Sequence, residues 1–380
     1  MSVWDDLPGQ EPVIKQLRGA AESEWPTHAW LFTGPPGSGR SNAARAFAAA
    51  LLCEQGRLQD RGCGSCHACH TVLAGTHADV TNVATEKVTI TIAEVRTLIT
   101  KAQDRPSSGR WRVIIVEDAD RMAERTTNVL LKAIEEPPPR TIWILCAPSP
   151  ADVMVTIRSR CRPVSLRVPP REDVAALLVR RDGATPDQAD YAARVAQSHI
   201  GVARRLARDE GARERRAQIV GLPLNLKSVS QAVIAAGKLH ELANTEAQSS
   251  SEQRNEMEKA DLLRALGAPE SGTLPPSMRS QVKQLEEDQK RRAKRSVTDA
   301  LDRAMIDLTT FFRDVLTIQL GTGMELINEQ IRDDLEHYAA GTTPESTLSR
   351  LDAIAQTRER LGTTNVAPLL ALEAMAVSLL

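Results

Sequence analysis

Over the first 165 positions, apolar residues come in short unbroken runs separated by longer mixed stretches. His28-Ala-Trp-Leu-Phe-Thr33, Arg112-Val-Ile-Ile-Val116 and Thr141-Ile-Trp-Ile-Leu-Cys146 are such runs. None of them alternates, which is the pattern of strands buried on both faces of a parallel sheet. Ser41 to Leu52 is Ala-rich and reads as a helix. Arg125 to Glu136 reads as another, stopped by Pro137-Pro138-Pro139. Val88-Thr-Ile-Thr-Ile92 is β-like, with helical spacing taking over from Ile92 to Ala102. Strands alternating with helices predict an α/β domain around a doubly wound, mostly parallel sheet.

The pattern changes near residue 165. Pro169-Pro170 opens short helical segments at Arg171 to Arg180, Pro186 to Gln197 and Val202 to Asp209. No strand signal follows. Later, Val297, Ala300, Leu301, Ala304, Leu308, Phe311, Phe312 and Val315 share one helical face. Before them, positions from about 245 to 295 are polar. Gln284-Leu-Glu-Glu-Asp-Gln-Lys-Arg-Arg-Ala-Lys-Arg295 mixes acids and bases at helical pair spacing. That mixture predicts a solvated helix face, with nucleic-acid contact as the alternative. The expected organisation is an α/β domain over 1–168, a small helical domain over 169–210, and a helical domain over 211–380 carrying a polar insertion at about 245–295.

Composition narrows the function classes. A chain of 380 residues with 42% hydrophobic content can bury two or three cores. Aromatics are only 3%, so those cores must rest on Leu, Val, Ile and Ala. A net charge of −1 argues against a general polyanion binder, so any nucleic-acid contact needs a local patch or partner chains. No apolar run approaches the roughly 18 residues that span a membrane. A cytoplasmic protein without membrane contact is expected.

Cys53, Cys63, Cys66 and Cys69 are spaced C-x9-C-x2-C-x2-C. Four thiolates close a tetrahedral zinc shell and leave no open position, so the expected site is structural. Core cysteines would not cluster in polar, Gly-rich sequence such as Arg61-Gly-Cys-Gly-Ser-Cys-His-Ala-Cys-His70. Disulfides would need an oxidising compartment, and Met1-Ser-Val-Trp-Asp-Asp gives no secretory signal. His67 and His70 could substitute as ligands but are not needed. Cys146 and Cys161 are expected as reduced core residues.

Gly34-Pro-Pro-Gly37-Ser-Gly39-Arg40-Ser41 fits the phosphate-loop template except at one position. Glycines let backbone N–H groups converge on phosphate oxygens. A Lys usually bridges the β- and γ-phosphates and the Ser holds Mg²⁺. Arg40 stands at the Lys position, and its planar fork is not equivalent to an ammonium. A vestigial loop is one reading; ATP or ADP held without hydrolysis is the other. Glu117-Asp118 follows the strand at Val113 to Val116. Motor ATPases usually carry Asp-Glu there, and the reversal shifts a metal ligand and a base by about one bond each. Ser159-Arg160-Cys161 sits past the last strand run, where an arginine could reach a phosphoryl group held elsewhere. By itself the triplet is equally a surface arginine.

Taken in order, Gly9-Gln10, the phosphate loop, the four cysteines, Glu117-Asp118-Ala-Asp120-Arg-Met122, Leu130-Leu-Lys-Ala-Ile-Glu-Glu-Pro137 and Ser159-Arg160-Cys161 resemble one family. It is that of the bacterial clamp-loader subunits of the AAA+ class, and within it the delta-prime subunits of DNA polymerase III. Gly201-Val-Ala-Arg204 resembles the second sensor motif of the group, and Asn365-Val-Ala-Pro-Leu-Leu-Ala-Leu-Glu373 its C-terminal collar helix. The resemblance is dense over 1–210 and thin beyond.

The resemblance implies an AAA+ domain, a helical lid and a helical collar in a five-subunit ring that uses ATP to load a sliding clamp on primed DNA. It implies a stator whose own nucleotide site, at Gly34, Gly37, Gly39, Arg40, Ser41, Glu117, Asp118 and Arg204, is degraded. Arg160 would then serve as an arginine finger in trans for a neighbour. The implied partners are the gamma/tau motor subunits, the delta subunit, the clamp and DNA. Ala147-Pro148-Ser149 departs from the family's Thr sensor. Two other readings are a gamma/tau motor subunit that hydrolyses ATP, and a zinc-knuckle nucleic-acid-binding protein with a vestigial nucleotide fold.

Overall fold

The structure is a computed structural model describing residues 2–83, 89–265, 276–364 and 366–380. Two compact units divide the chain, Met1–Arg208 and Asp209–Leu380.

The first unit is built on five parallel strands: β1 (Ala29–Thr33), β2 (Val80–Val83), β3 (Arg112–Val116), β4 (Thr141–Ala147) and β5 (Arg162–Ser165). Their order across the sheet is β2-β3-β4-β1-β5. α1 (Glu11–Glu22) precedes β1, and the crossovers carry α2 (Arg40–Leu52), α3 (His67–Leu73), α4 (Ile92–Gln103), α5 (Glu124–Glu135) and the single turn α6 (Val155–Arg158). Successive side chains of a strand point to opposite faces. Accordingly Trp30 and Phe32 pack with Leu17, Phe47 and Leu51 of α1 and α2, while Ala29 and Leu31 pack with Leu98, Leu130 and Ile134 of α4 and α5. The doubly wound parallel sheet expected from the sequence is therefore present. Three short helices complete the unit: α7 (Arg171–Asp182), α8 (Pro186–Val195) and α9 (Ile200–Arg208).

Two strands were not foreseen in the sequence. β2 is half-exposed along its length and β5 carries Pro163, which suits the sheet edges they occupy. The β-like stretch at Val88 to Ile92 is corrected. Val88 lies outside the described residues, Ile90 makes only an isolated bridge to Met122, and Thr91 caps α4. Thr91 accepts from the Glu94 N–H while the Glu94 carboxylate accepts from the Thr91 N–H, a reciprocal box that starts a helix.

The second unit is helical among its described residues: α10 (Glu210–Val220), α11 (Val229–Ala265), α12 (Pro276–Gln319), α13 (Arg332–Ala340), α14 (Pro344–Thr363) and α15 (Pro368–Ser378). The face from Ala300 to Val315 on α12 lies in its core, with Phe311, Phe312 and Tyr338 edge to face. The polar stretch falls on α11 and α12, apart from 266–275, which lie outside the described residues. The two helices run antiparallel, joined by Lys259 to Glu286 at 2.8 Å and Arg303 to Glu246 at 2.9 Å. Asn365 also lies outside the described residues, and α15 begins at Pro368. Among the described residues, no helix is long and apolar enough to cross a membrane.

Candidate functional site

The phosphate loop links the end of β1 to α2, at the carboxyl edge of the sheet where α/β folds place ligands. Its start is pinned by the Gly34 N–H donating to Pro148 O at 3.2 Å, just past β4. Gly37 has φ +86, and a Cβ there would come within 2.7 Å of His199. A side chain would therefore be both strained and blocked. His199 precedes α9, so this helix lies directly against the loop. Gln10 is buried and ties the loop to the segment after β5: its amide donates to Arg167 O at 2.6 Å and its oxygen accepts from Arg167 N at 3.3 Å.

The polar residues of the phosphate loop and the acids after β3 are satisfied by protein groups. Arg40 turns back on its own loop, with Nη1 donating to Gly34 O at 2.6 Å. Ser41 Oγ donates to Glu117 Oε2 at 2.8 Å. The other Glu117 oxygen accepts from Arg45 Nη2 and from Asn82 Nδ2, each at 2.7 Å. Burial alone would raise the Glu117 pKa; hydrogen bonds from Asn82 and Ser41 and the charge of Arg45 outweigh it and hold the carboxyl below its usual range. A guanidinium thus contacts the carboxylate that, in a motor site, would face Mg²⁺. Asp118 points elsewhere, toward Arg121 at 3.9 Å. Arg204 on α9 pairs at 2.8 Å with Asp182, whose side chain is 2% exposed. One buried polar atom in the loop, Ser38 Oγ, has no protein partner.

Ser41, Glu117 and the loop glycines are brought together as the sequence suggested. Arg204 is held at Asp182, outside that cluster of contacts. Sequence reasoning missed Arg45, Asn82 and His199. Arg45 had a usable signal, because it lies one helical turn beyond Ser41 and so shares its face. Asn82 had none, since its strand was itself missed.

Arg160 lies beyond α6 with its side chain 40% exposed. The neighbouring Ile157 and Cys161 are buried in the core under α5, so its backbone is firmly seated. Its Nε donates to Glu135 Oε1 at 2.6 Å, Nη2 lies 2.6 Å from the same oxygen as an ion pair, and Nη1 donates to Thr156 O at 2.8 Å.

The four clustered cysteines converge from three places: the end of α2, a two-glycine turn, and the start of α3. All four Sγ atoms lie within 4.8 Å of one another. Cys53 to Cys63 is 3.6 Å and Cys66 to Cys53 is 3.9 Å. A tetrahedral ion with bonds of about 2.3 Å needs sulfurs about 3.8 Å apart, so the group fits a thiolate-bound metal ion. These distances are far from a disulfide bond, and all six cysteines are free thiols. Burial opposes ionisation of Cys63, but hydrogen bonds from Ser65 and from the Cys66 N–H bring its pKa down to about 5. Burial pushes Cys69 up. Cys146 and Cys161 are buried, which pushes each up to about 12 and leaves them inert.

The cysteine module is fastened to the body of the unit. Gly62 has φ +85, and a Cβ there would meet Trp4 Nε1 at 2.8 Å and Val3 at 2.9 Å. Val3 N–H donates to Gly62 O at 3.0 Å, and the buried Arg61 donates to Ala21 O at the end of α1.

Comparison with known proteins gives the following matches. A family model described as "DNA polymerase III, delta subunit" matches residues 9–170. The chain is 33% identical over 247 residues to DNA polymerase III subunit delta' of Pseudomonas aeruginosa, covering 63% of this chain and 72% of that protein. It is 29% identical over 238 residues to subunit delta' of Escherichia coli, covering 62% and 71%. It is 34% identical over 159 residues to subunit tau of Bacillus subtilis, covering 42% of this chain and 28% of tau. The chain thus spans under a third of the tau relative and just over two thirds of these two delta' relatives.

Proposed function

The chain belongs to the family of DNA polymerase III delta-prime subunits, and on that premise we propose that it is the stator of a bacterial clamp loader. Its task is to hold its place in an AAA+ ring and to present Arg160 to a nucleotide bound by the adjacent gamma/tau motor subunit. The delta subunit, the sliding clamp and primed DNA are the remaining partners of that assembly. Residues 169–210 act as the lid and 211–380 as the collar through which the ring is held together.

The observation that carries this reading is a contrast within one domain. On the chain's own side, Arg40 is bound to Gly34 O and Glu117 to Ser41, Arg45 and Asn82. On the other, Arg160 is a half-exposed cation on a rigid base, paired with the exposed Glu135 at the surface. Phosphoryl transfer depends on positioning and charge stabilisation, so a site whose cation positions are taken up internally is poorly suited to hydrolysis. An exposed guanidinium is suited to stabilise charge on a phosphate bound elsewhere. The four cysteines hold one structural zinc ion. The motor reading is disfavoured by the same contacts at Arg40 and Glu117.

Nucleotide turnover tests the proposal. The purified chain should hydrolyse ATP negligibly. Restoring Lys at position 40 should not make it fast, because a finger from another subunit would still be missing. Robust turnover by the wild-type chain alone would overturn the stator reading.

A further inference from the structure

The Leu130–Pro137 stretch does more than close α5. Leu130 and Ile134 are buried in the core between the sheet and α4–α5, and His28 bonds to Ile134 O at 2.9 Å. The next residue, Glu135, is therefore carried to the surface from a fixed base. Arg160 rises from the same core, between the buried Ile157 and Cys161. Their side chains meet with both Nε and Nη2 on Glu135 Oε1 at 2.6 Å. The opposite nitrogen, Nη1, rests on Thr156 O at 2.8 Å and Ser159 Oγ at 3.2 Å.

We propose that Glu135 is the positioning residue for Arg160, gripping the Nε edge of the guanidinium so that Nη1 is presented to an anionic phosphate oxygen of a neighbouring subunit. The inference rests on the stator reading and adds a residue to it. A guanidinium has five donor hydrogens in one rigid plane, so fixing one edge fixes the direction of the rest. The grip is charge-assisted, whereas Nη1 is held only by a neutral carbonyl and a hydroxyl. The neutral contacts are the ones an incoming anion displaces most readily. Glu135 lies in the Leu130–Pro137 stretch and Arg160 in the Ser159–Cys161 triplet, two of the motifs behind the family resemblance, and this pair joins them.

The test is a double-mutant cycle in the reconstituted complex with motor subunits, clamp and primed DNA, reading ATP turnover. Glu135→Ala should lower the maximal rate about tenfold, the scale of loss from slight misplacement of a reacting group. The subunit concentration giving half-maximal rate should not move, because assembly is untouched. Glu135→Gln should lose less, since the amide oxygen still accepts. Adding Glu135→Ala to Arg160→Ala should cause no further loss. If Arg160→Ala is slow but Glu135→Ala turns over like wild type, the positioning role is wrong and the finger stands. Losses that multiply in the double variant would make Glu135 merely structural and also overturn the proposal. A wild-type rate for Arg160→Ala would remove the finger itself.

Discussion

Single side chains divide the first unit into groups that are tied down and groups held ready. Asp79 is the most fully tied. It is buried and accepts from the N–H groups of Ser107, Ser108 and Gly109 at 2.6, 2.8 and 2.7 Å. Burial would raise its pKa, but these donors outweigh it and hold the carboxyl well below the usual range. The folded pKa lies below the unfolded value of about 3.9, so the stabilisation is complete above that pH and is lost as pH falls through the acid range. Asp79→Ala should cost about 3 kcal/mol by leaving three N–H groups unsatisfied. It should also flatten the acid limb of the stability curve, as read by denaturant titration between neutral pH and about pH 3. A variant that matched wild type at neutral pH would show that this loop is held by other contacts.

Among elements, the cysteine module is where sequence and structure agree most closely. Its spacing was legible because ligand chemistry demands particular residue types at short intervals. Its attachment was not, because Gly62 against Trp4 and Arg61 on Ala21 O are contacts between distant parts of the chain. Cys66→Ser should release the metal and raise hydrogen exchange across 53–75 and in the N-terminal segment at Val3 and Trp4. The helices of the second unit should keep their protection. A metal-free native protein by elemental analysis would contradict the assignment. Strands showed the same divide. β1, β3 and β4 are buried on both faces and announced themselves as apolar runs. β2 and β5 are edge strands with mixed residues, and their identity depends on pairing rather than on their own pattern. With β2 unseen, Asn82 could not be placed beside Glu117. The helix face on α12 was easier, because its burial repeats over many turns.

At the scale of the whole molecule, the proposed stator role divides labour between two ends of one α/β unit. The phosphate loop keeps its glycines and its helix, while Arg40 donates to Gly34 O and Arg45 and Asn82 donate to Glu117. The sequence exposed the changed residues in the loop and the acids; it could not expose Arg45 and Asn82 as their partners. Arg160 remains the group facing outward, so its loss should be felt in a neighbour's chemistry and not in this chain's stability. One exposed side chain contributes little to folding. The most direct measurement is the DNA- and clamp-stimulated ATP turnover of reconstituted complexes that differ only at this residue. Arg160→Ala should assemble normally yet lose the turnover of the one motor site that borrows it, and Arg160→Lys should recover little, because a point charge cannot reproduce the planar fork. Equal rates for wild type and Arg160→Ala would contradict this role.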